Sequence, residues 1–382
     1  MRIAILLLNS GRGSGEVARA HGRYLVEAGH RVIFMHPKVG AGVPGCRNLD
    51  IQLLDEVTPV HEYLPSAGSD QKAVSSMGFD EAMKYEACYE NALEAVVDDV
   101  DIVVGHHANL SAIATARVAR RHGKPYVLFL HGTGIEPRHH GGYDDGVWAE
   151  IEDAILGASG LLVTTEYVRD ALVSSIVAVP EERFLVLPCG VDLEAFRPGG
   201  AGEIAAKYDL PPTYVICPGA LTAVKGPQNV VEASERYASL APTIFIGDGE
   251  LRSELEQKLG DRGRFLGFVS TEDKEKLING ATILTAAPEK KEHFGIIYAE
   301  ALAAGTVPVA YEGGGVASII TEDVGVLTPR NPAALGDAIA SLLADDARRE
   351  RLAAAGRPRA EANFDYRSLI AELVTWLERV SN

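Results

Sequence analysis

The chain has 382 residues, 47% of them apolar and 23% charged, with 36 Lys and Arg against 53 Asp and Glu and a net charge of -17. That length suits two domains of ordinary size better than one core. The negative charge disfavours a nucleic-acid groove or an anionic membrane surface as the global partner. The first element is the apolar run Ile3 to Leu8, the pattern of a parallel strand buried on both faces. The opening MRIAILLLNSGRG therefore reads as a strand and glycine turn rather than a leader. Glu16 to Ala28 has near-helical apolar spacing and stops at Gly29, and a second strand spans Arg31 to Met35. Strands are then expected at Ile102–Val104, Tyr126–Leu130, Leu161–Thr164 and Phe184–Leu187, with helices such as Ser111–Arg121 between several of them. His36 to Asp80 and Ile135 to Asp145 follow no periodic pattern.

The segment RPGGAGEIAAKYDLPP, Arg197 to Pro212, is rich in proline and glycine and reads as a linker. After it the alternation restarts with Tyr214–Cys217, Thr243–Ile246, Arg264–Leu266, Ile283–Thr285 and Val307–Ala310. Phe364 to Val380 suits one amphipathic helix. The expected organisation is α/β: a first doubly wound domain over 1–197, a linker over 198–212 and a second over 213–363. The helix of 364–382 is expected to pack back on the first. Ligands of such sheets bind beyond the carboxyl ends of the strands, so the chemistry is expected in a cleft that both domains face.

Cys46, Cys88, Cys189 and Cys217 show no metal or redox spacing and read as reduced thiols, which points to the cytoplasm. No stretch reaches the roughly 18 apolar residues of a membrane span. The pairs His106-His107 and His139-His140 lack the helix-spaced partners of a zinc set, and the acidic runs at Asp98–Asp101 and Asp144-Asp145 read as turn residues. No metal site is expected.

The densest chemistry lies in EHFGIIYAEALAAG, Glu292 to Gly305. Gly295 stands where a loop turns into a helix, whose free N–H groups and dipole suit phosphate or sugar hydroxyls. Glu300 falls about one turn inside that helix and Glu292 stays in the loop. An ordinary amphipathic helix with a first-turn acid has the same spacing. Upstream, PGALTAVKGPQNVVEA places Lys225 in a strand-to-helix loop, a position for a point charge on a diphosphate.

The run EHFGIIYAEALAAGTVPVA resembles the family 4 retaining glycosyltransferases of the GT-B fold, as do GHRV, CGVDLEAFRP and IGDGELR elsewhere in the chain. The resemblance implies two Rossmann-like domains facing a central cleft. It implies transfer of a hexose-type sugar from a nucleotide diphosphate-sugar, most often a UDP-sugar, to a hydroxyl acceptor, with retained configuration and without a metal or other cofactor. The acceptor could be a small molecule, a glycan or a lipid, and nucleic acid is no partner. By resemblance Glu292 contacts the transferred sugar, with His293, Phe294 and Gly295 beside it. Lys225, Ile296 and Ile297 take the donor phosphates and Glu300 the ribose. His131, in LFLHGTG, lies against the sugar, Gly13 and Gly15 of SGRGSG approach the phosphate, and the base pocket involves Gly267 and Phe268.

One position departs from the pattern. The arginine that usually follows the turn glycine is Ala220 here, with Arg12, Arg138, Lys290 and Lys291 as candidate replacements. Two other readings stay open: a nucleotide-sugar 2-epimerase on the same fold, and a sugar-nucleotide binder without activity.

Overall fold

A computed structural model describes residues 1–10, 13–38, 40, 42–61, 70–199 and 201–381. It divides into two compact units, Met1–Cys189 with Tyr366–Asn382, and Gly190–Asp365. In the first unit the strands are β1 (Arg2–Leu6), β2 (Arg31–His36), β3 (Arg47–Asp50), β4 (Thr58–Val60), β5 (Gln71–Ala73), β6 (Ile102–His106), β7 (Tyr126–Leu130), β8 (Gly160–Val163) and β9 (Phe184–Val186). Among the described residues, seven of them form one sheet in the order β3-β2-β1-β6-β7-β8-β9, and β4 pairs with β5. Every pairing is parallel, with Ile3 opposite Val32 on one side and Ile102 on the other. Ile3, Ala4, Ile5 and Leu6 are almost wholly buried, as a strand covered by helices on both faces must be.

The second unit carries β10 (Val215–Pro218), β11 (Thr243–Ile246), β12 (Gly263–Phe265), β13 (Ile283–Ala286), β14 (Val307–Tyr311) and β15 (Val326–Thr328). They form a parallel sheet in the order β12-β11-β10-β13-β14-β15. Both units are therefore Rossmann-like. In each the strand order reverses beside the first strand, between β1 and β6 and between β10 and β13. Such a switch point leaves a crevice at the carboxyl ends of the two strands, because the connections leave in opposite directions.

The proline- and glycine-rich stretch expected to be a linker behaves differently. Within it Ala201–Tyr208 is a helix of the second unit. Lys207 pairs with Asp273 at 2.6 Å and the Tyr208 hydroxyl donates to the same carboxylate at 2.8 Å. The helix formers of EIAAKY are bracketed by breakers rather than interrupted by them, and the left-handed Asp209 ends the turn. The chain crosses between units at Cys189–Gly190 and again at Asp365–Tyr366.

The helix Tyr366–Ser381 belongs to the first unit and buries Leu369, Ile370, Leu373, Trp376 and Leu377. Tyr366 stacks on Tyr24 at 4.9 Å, and the Trp376 indole fills the space a side chain at Gly160 would need. Sequence periodicity missed β3, an edge strand of RNLD with no apolar run, and the helix Phe79–Glu94. No helix among the described residues is long and apolar enough to cross a membrane.

Candidate functional site

In the second unit, the loops leaving β10 and β13 at the switch point carry Lys225 and Glu292. Gly219, at φ 150°, follows β10 and donates its N–H to Ile246 at 2.9 Å. A Cβ on Gly247 would fall on the Gly219 carbonyl, and one on Gly249 would run into the Leu221 backbone. The glycines of IGDGELR thus let the loops after β10 and β11 lie backbone against backbone. Ala220 sits half-buried in this contact.

Ala223–Lys225 form a single 3-10 turn, closed by the left-handed Gly226, and Pro227 opens the next helix. A Cβ on Gly226 would collide with the Ala287 carbonyl. Asn229 donates to that carbonyl at 3.0 Å and to Glu289 at 2.9 Å, while the Glu289 N–H reaches the Val224 carbonyl at 3.0 Å. The Lys225 turn and the Ala287–Glu292 loop are therefore clamped together. Lys225 Nζ lies 3.2 Å from Glu292 Oε1, with the lysine half-exposed. The Glu292 carbonyl accepts from the Gly315 N–H at 2.8 Å, and the left-handed Gly314 makes room for it.

Gly295, at φ 95°, caps the helix Ile296–Ala304. The N–H groups of Ile296 and Ile297 open the helix and so have no carbonyl one turn back to bond. His293, Ile296 and Ile297 are partly exposed, whereas the Phe294 ring is buried against Phe364 at 6.0 Å. Phe294 can therefore serve a ligand only through its backbone. Inside the helix Glu300 is 6% exposed, its Oε1 2.7 Å from Lys274 Nζ. Gly267, at φ 74°, accepts from the Gly247 N–H at 2.8 Å, and Phe268 beside it is 84% exposed. An aromatic ring left in water next to a strand end is a ready stacking surface.

Of the candidate replacements for the arginine, Arg12 lies outside the described residues. Arg138 belongs to the first unit, where it pairs with Asp145 at 3.1 Å over the Trp148 ring. Lys290 and Lys291 are on the same loop as Glu292, and the Lys291 stem runs along Gly313 and Gly314.

In the first unit the strand ends at the switch point are lined with imidazoles. His107, in the left-handed region at φ 69°, shares a hydrogen bond with Ser14 Oγ at 3.0 Å. His131 follows β7, is 7% exposed and shares a 3.0 Å bond with His106 Nδ1. The His107 ring lies 4.7 Å from that of His131 and stacks on His61 at 3.8 Å. Burial depresses His106 to about 3, helped by the charge of His21, and His21 itself to about 4, so both are neutral at ordinary pH. The two predicted glycines differ in kind. A Cβ on Gly15 would overlap the Ser10 carbonyl, whereas one on Gly13 would meet nothing within 4 Å among the described residues. Among the described residues no group of three or more His, Cys, Asp or Glu is placed to hold a metal.

The sequence reading passed over Lys274, Ser14, His61 and the structural use of His107. Lys274 sits in the polar run TEDKEKL, where nothing separates one lysine from the next.

Residues 11–195 match the family described as Glycosyltransferase Family 4, and residues 203–359 match Glycosyl transferases group 1. A D-inositol 3-phosphate glycosyltransferase of Catenulispora acidiphila is 30% identical over 302 residues, 72% of this chain and 71% of the relative. The alpha-maltose-1-phosphate synthase of Mycobacterium tuberculosis is 25% identical over 81% of this chain and 84% of its own. Among solved structures, a sucrose-phosphate synthase from Thermosynechococcus elongatus superposes with a TM-score of 0.80 at 20% identity, covering 99% of this chain and 98% of that one. Anabaena HepE in complex with UDP superposes with a TM-score of 0.78 at 16% identity, over 99% and 100%. The chain belongs to the family 4 glycosyltransferases of the GT-B fold. It is a glycosyltransferase that uses a nucleotide-sugar donor.

Proposed function

We propose that this enzyme moves a hexose from a UDP-sugar to a hydroxyl acceptor with retained configuration and without a divalent metal. The observation that carries the reading is the Lys225–Glu292 pair at the β10/β13 switch point, beside the open helix start at Gly295. Lys225 and the N–H groups of Ile296 and Ile297 take the diphosphate, where negative charge grows as the nucleoside diphosphate departs. Preorganised donors aimed at developing charge supply the largest part of such catalysis. They also do the work a divalent cation would otherwise do, which motivates the metal-independent reading.

Glu292, with the backbone of His293, Phe294 and Gly295, positions the transferred sugar and stabilises the oxocarbenium-like transition state. The acceptor attacks from the face the phosphate leaves, and the departing phosphate takes its proton. Glu300 takes the ribose, and Gly267 and Phe268 take the base. In the first unit, His131, Gly13 and Gly15 are proposed as ligand-contacting positions of that unit. HepE has also been solved with UDP-glucose, and a starch synthase of the same fold with ADP, so uridine and adenine donors are the first to compare.

The test is a thermal-shift screen of UDP-, ADP- and GDP-sugars, since a ligand that binds only the folded state raises its melting temperature. D-inositol 3-phosphate, the compound named for the relatives, is the first acceptor to try, with anomeric configuration of the product read by NMR. An inverted product would overturn retention. Activity lost in EDTA and restored by Mn2+ would overturn metal independence.

A further inference from the structure

The donor reading assigns Glu300 to the ribose but leaves open what prepares a carboxylate for that task inside an apolar helix. Glu300 is flanked in Ile296–Ala304 by fully buried Ala299, Ala301 and Leu302. A carboxylate there needs a partner, because burial removes its water. That partner is Lys274, from the helix Thr271–Asn279, at 2.7 Å from Oε1. The second oxygen, Oε2, is buried and has no hydrogen-bond partner among the described residues.

Lys274 is itself held in place. Ser270 Oγ caps its helix by accepting from the Asp273 N–H at 3.1 Å. Asp273, next in sequence, is tied to Lys207 and Tyr208, and the Lys274 ammonium lies 5.5 Å from the centre of the Phe196 ring. The terminal torsion of a glutamate is otherwise broad. An ammonium fixed on one oxygen narrows it and leaves the other oxygen as the acceptor that still lacks a donor.

We propose that Lys274 is a positioning residue of the donor site: by holding Oε1 of Glu300 it presents Oε2 to a ribose hydroxyl, and so sets a preference for ribonucleotides over deoxyribonucleotides. This rests on the donor reading above. A site that leaves a buried polar group unpaired when the ligand lacks a hydroxyl rejects that ligand strongly.

The experiment measures binding of UDP, ADP and GDP and of their 2′-deoxy and 3′-deoxy counterparts to the full-length protein. The wild type is expected to favour the ribonucleotide by roughly tenfold or more. Lys274→Met is expected to cut that preference to about twofold, Lys274→Arg to restore most of it, and Lys274→Met with Glu300→Gln to lose no more than Glu300→Gln alone. Thermal unfolding checks each variant; should Lys274→Met not fold, Lys274→Gln, neutral and of similar length, carries the comparison. A wild-type preference retained in the neutral variant, or losses that add in the double variant, would overturn the proposal. Failure of the wild type to bind any of the three diphosphates would sink the donor reading along with it. A preference that depends on Glu300 but not on Lys274 would sink this inference alone.

Discussion

Lys225 and Glu292 lie 67 positions apart in sequence, yet the lysine Nζ stands 3.2 Å from the glutamate Oε1. Each leaves the carboxyl end of one of two adjacent strands, β10 and β13, at the point where the sheet order reverses. Loops from such strands converge whatever their separation along the chain, and a cation beside a carboxylate is what the convergence leaves at the carboxyl edge of this sheet.

Because Lys225 is half-exposed, its pair with Glu292 contributes only about 0–1 kcal/mol to folding. Its charge on a diphosphate is worth more, about 1.5–3 kcal/mol. Lys225→Ala is therefore expected to weaken UDP binding roughly ten- to a hundredfold by titration while shifting the melting temperature little. Unchanged affinity would remove Lys225 from the phosphate site.

Glu292 is assigned to the sugar, not to the nucleotide. Glu292→Gln keeps the size and one acceptor oxygen but removes the charge. Its turnover with nucleotide-sugar is expected to fall about 10²–10³-fold with little change in UDP affinity. Steady-state kinetics beside a UDP titration separates the two, and an isolable sugar ester on Glu292 would contradict the same-face route.

The glycines give a pair of opposite outcomes. At Gly226 the backbone is left-handed and a Cβ would strike the Ala287 carbonyl, so Gly226→Ala should cost about 1–3 kcal/mol or more in urea unfolding. Gly13 begins a helix, and among the described residues nothing lies within 4 Å of a Cβ built on it, so Gly13→Ala should leave stability unchanged or slightly raised. Gly15→Ala, directed at the Ser10 carbonyl, should behave like Gly226→Ala.

Stability should depend on pH through buried groups of the first unit, among them Glu86, His21 and His106, with His36 also lowered by burial. Burial holds Glu86 up at about 7 from an ordinary 4.5, with Arg117 opposing and Glu90 reinforcing the shift. Between those values the folded state binds more protons, so this group lowers stability as pH rises from about 4.5 to about 7. His21 and His106, depressed to about 4 and about 3 from 6.5, act in the other direction: their contribution is full above 6.5 and is lost as pH falls to about 4 for His21 and about 3 for His106. The histidines outnumber the glutamate, so melting temperature should rise with pH between about 4.5 and 6.5. Glu86→Gln should steepen that rise, by up to about 1.4 kcal/mol per pH unit, as measured by unfolding across the range. A slope unchanged in Glu86→Gln would show that the carboxyl titrates normally.

Much of the architecture was legible because its signals are local. Continuous apolar runs such as Tyr126–Leu130 mark strands buried on two faces, and the apolar spacing from Leu369 to Leu377 marks a one-faced helix. The passage from loop to helix at Gly295, with its open helix start, was readable for the same reason, whereas its left-handed backbone came only with the structure. Where the signal was weak or shared, the reading failed. RNLD at the sheet edge has no burial pattern, and the helix Ala201–Tyr208 is hidden between prolines and glycines that mark its ends.

What the sequence determined by itself, then, is the alternation of strands and helices, the glycine turns and the candidate residues Lys225, Glu292 and Glu300, since each follows from chain period, turn chemistry or motif. Only the tertiary structure decided which residues meet. Lys274 reaches Glu300 across 26 positions, and His107 meets Ser14 across 93, because strand order and helix packing bring them together. It also buried the Phe294 ring edge-on against Phe364. Side-chain pairing across such distances depends on topology, to which no local spacing responds.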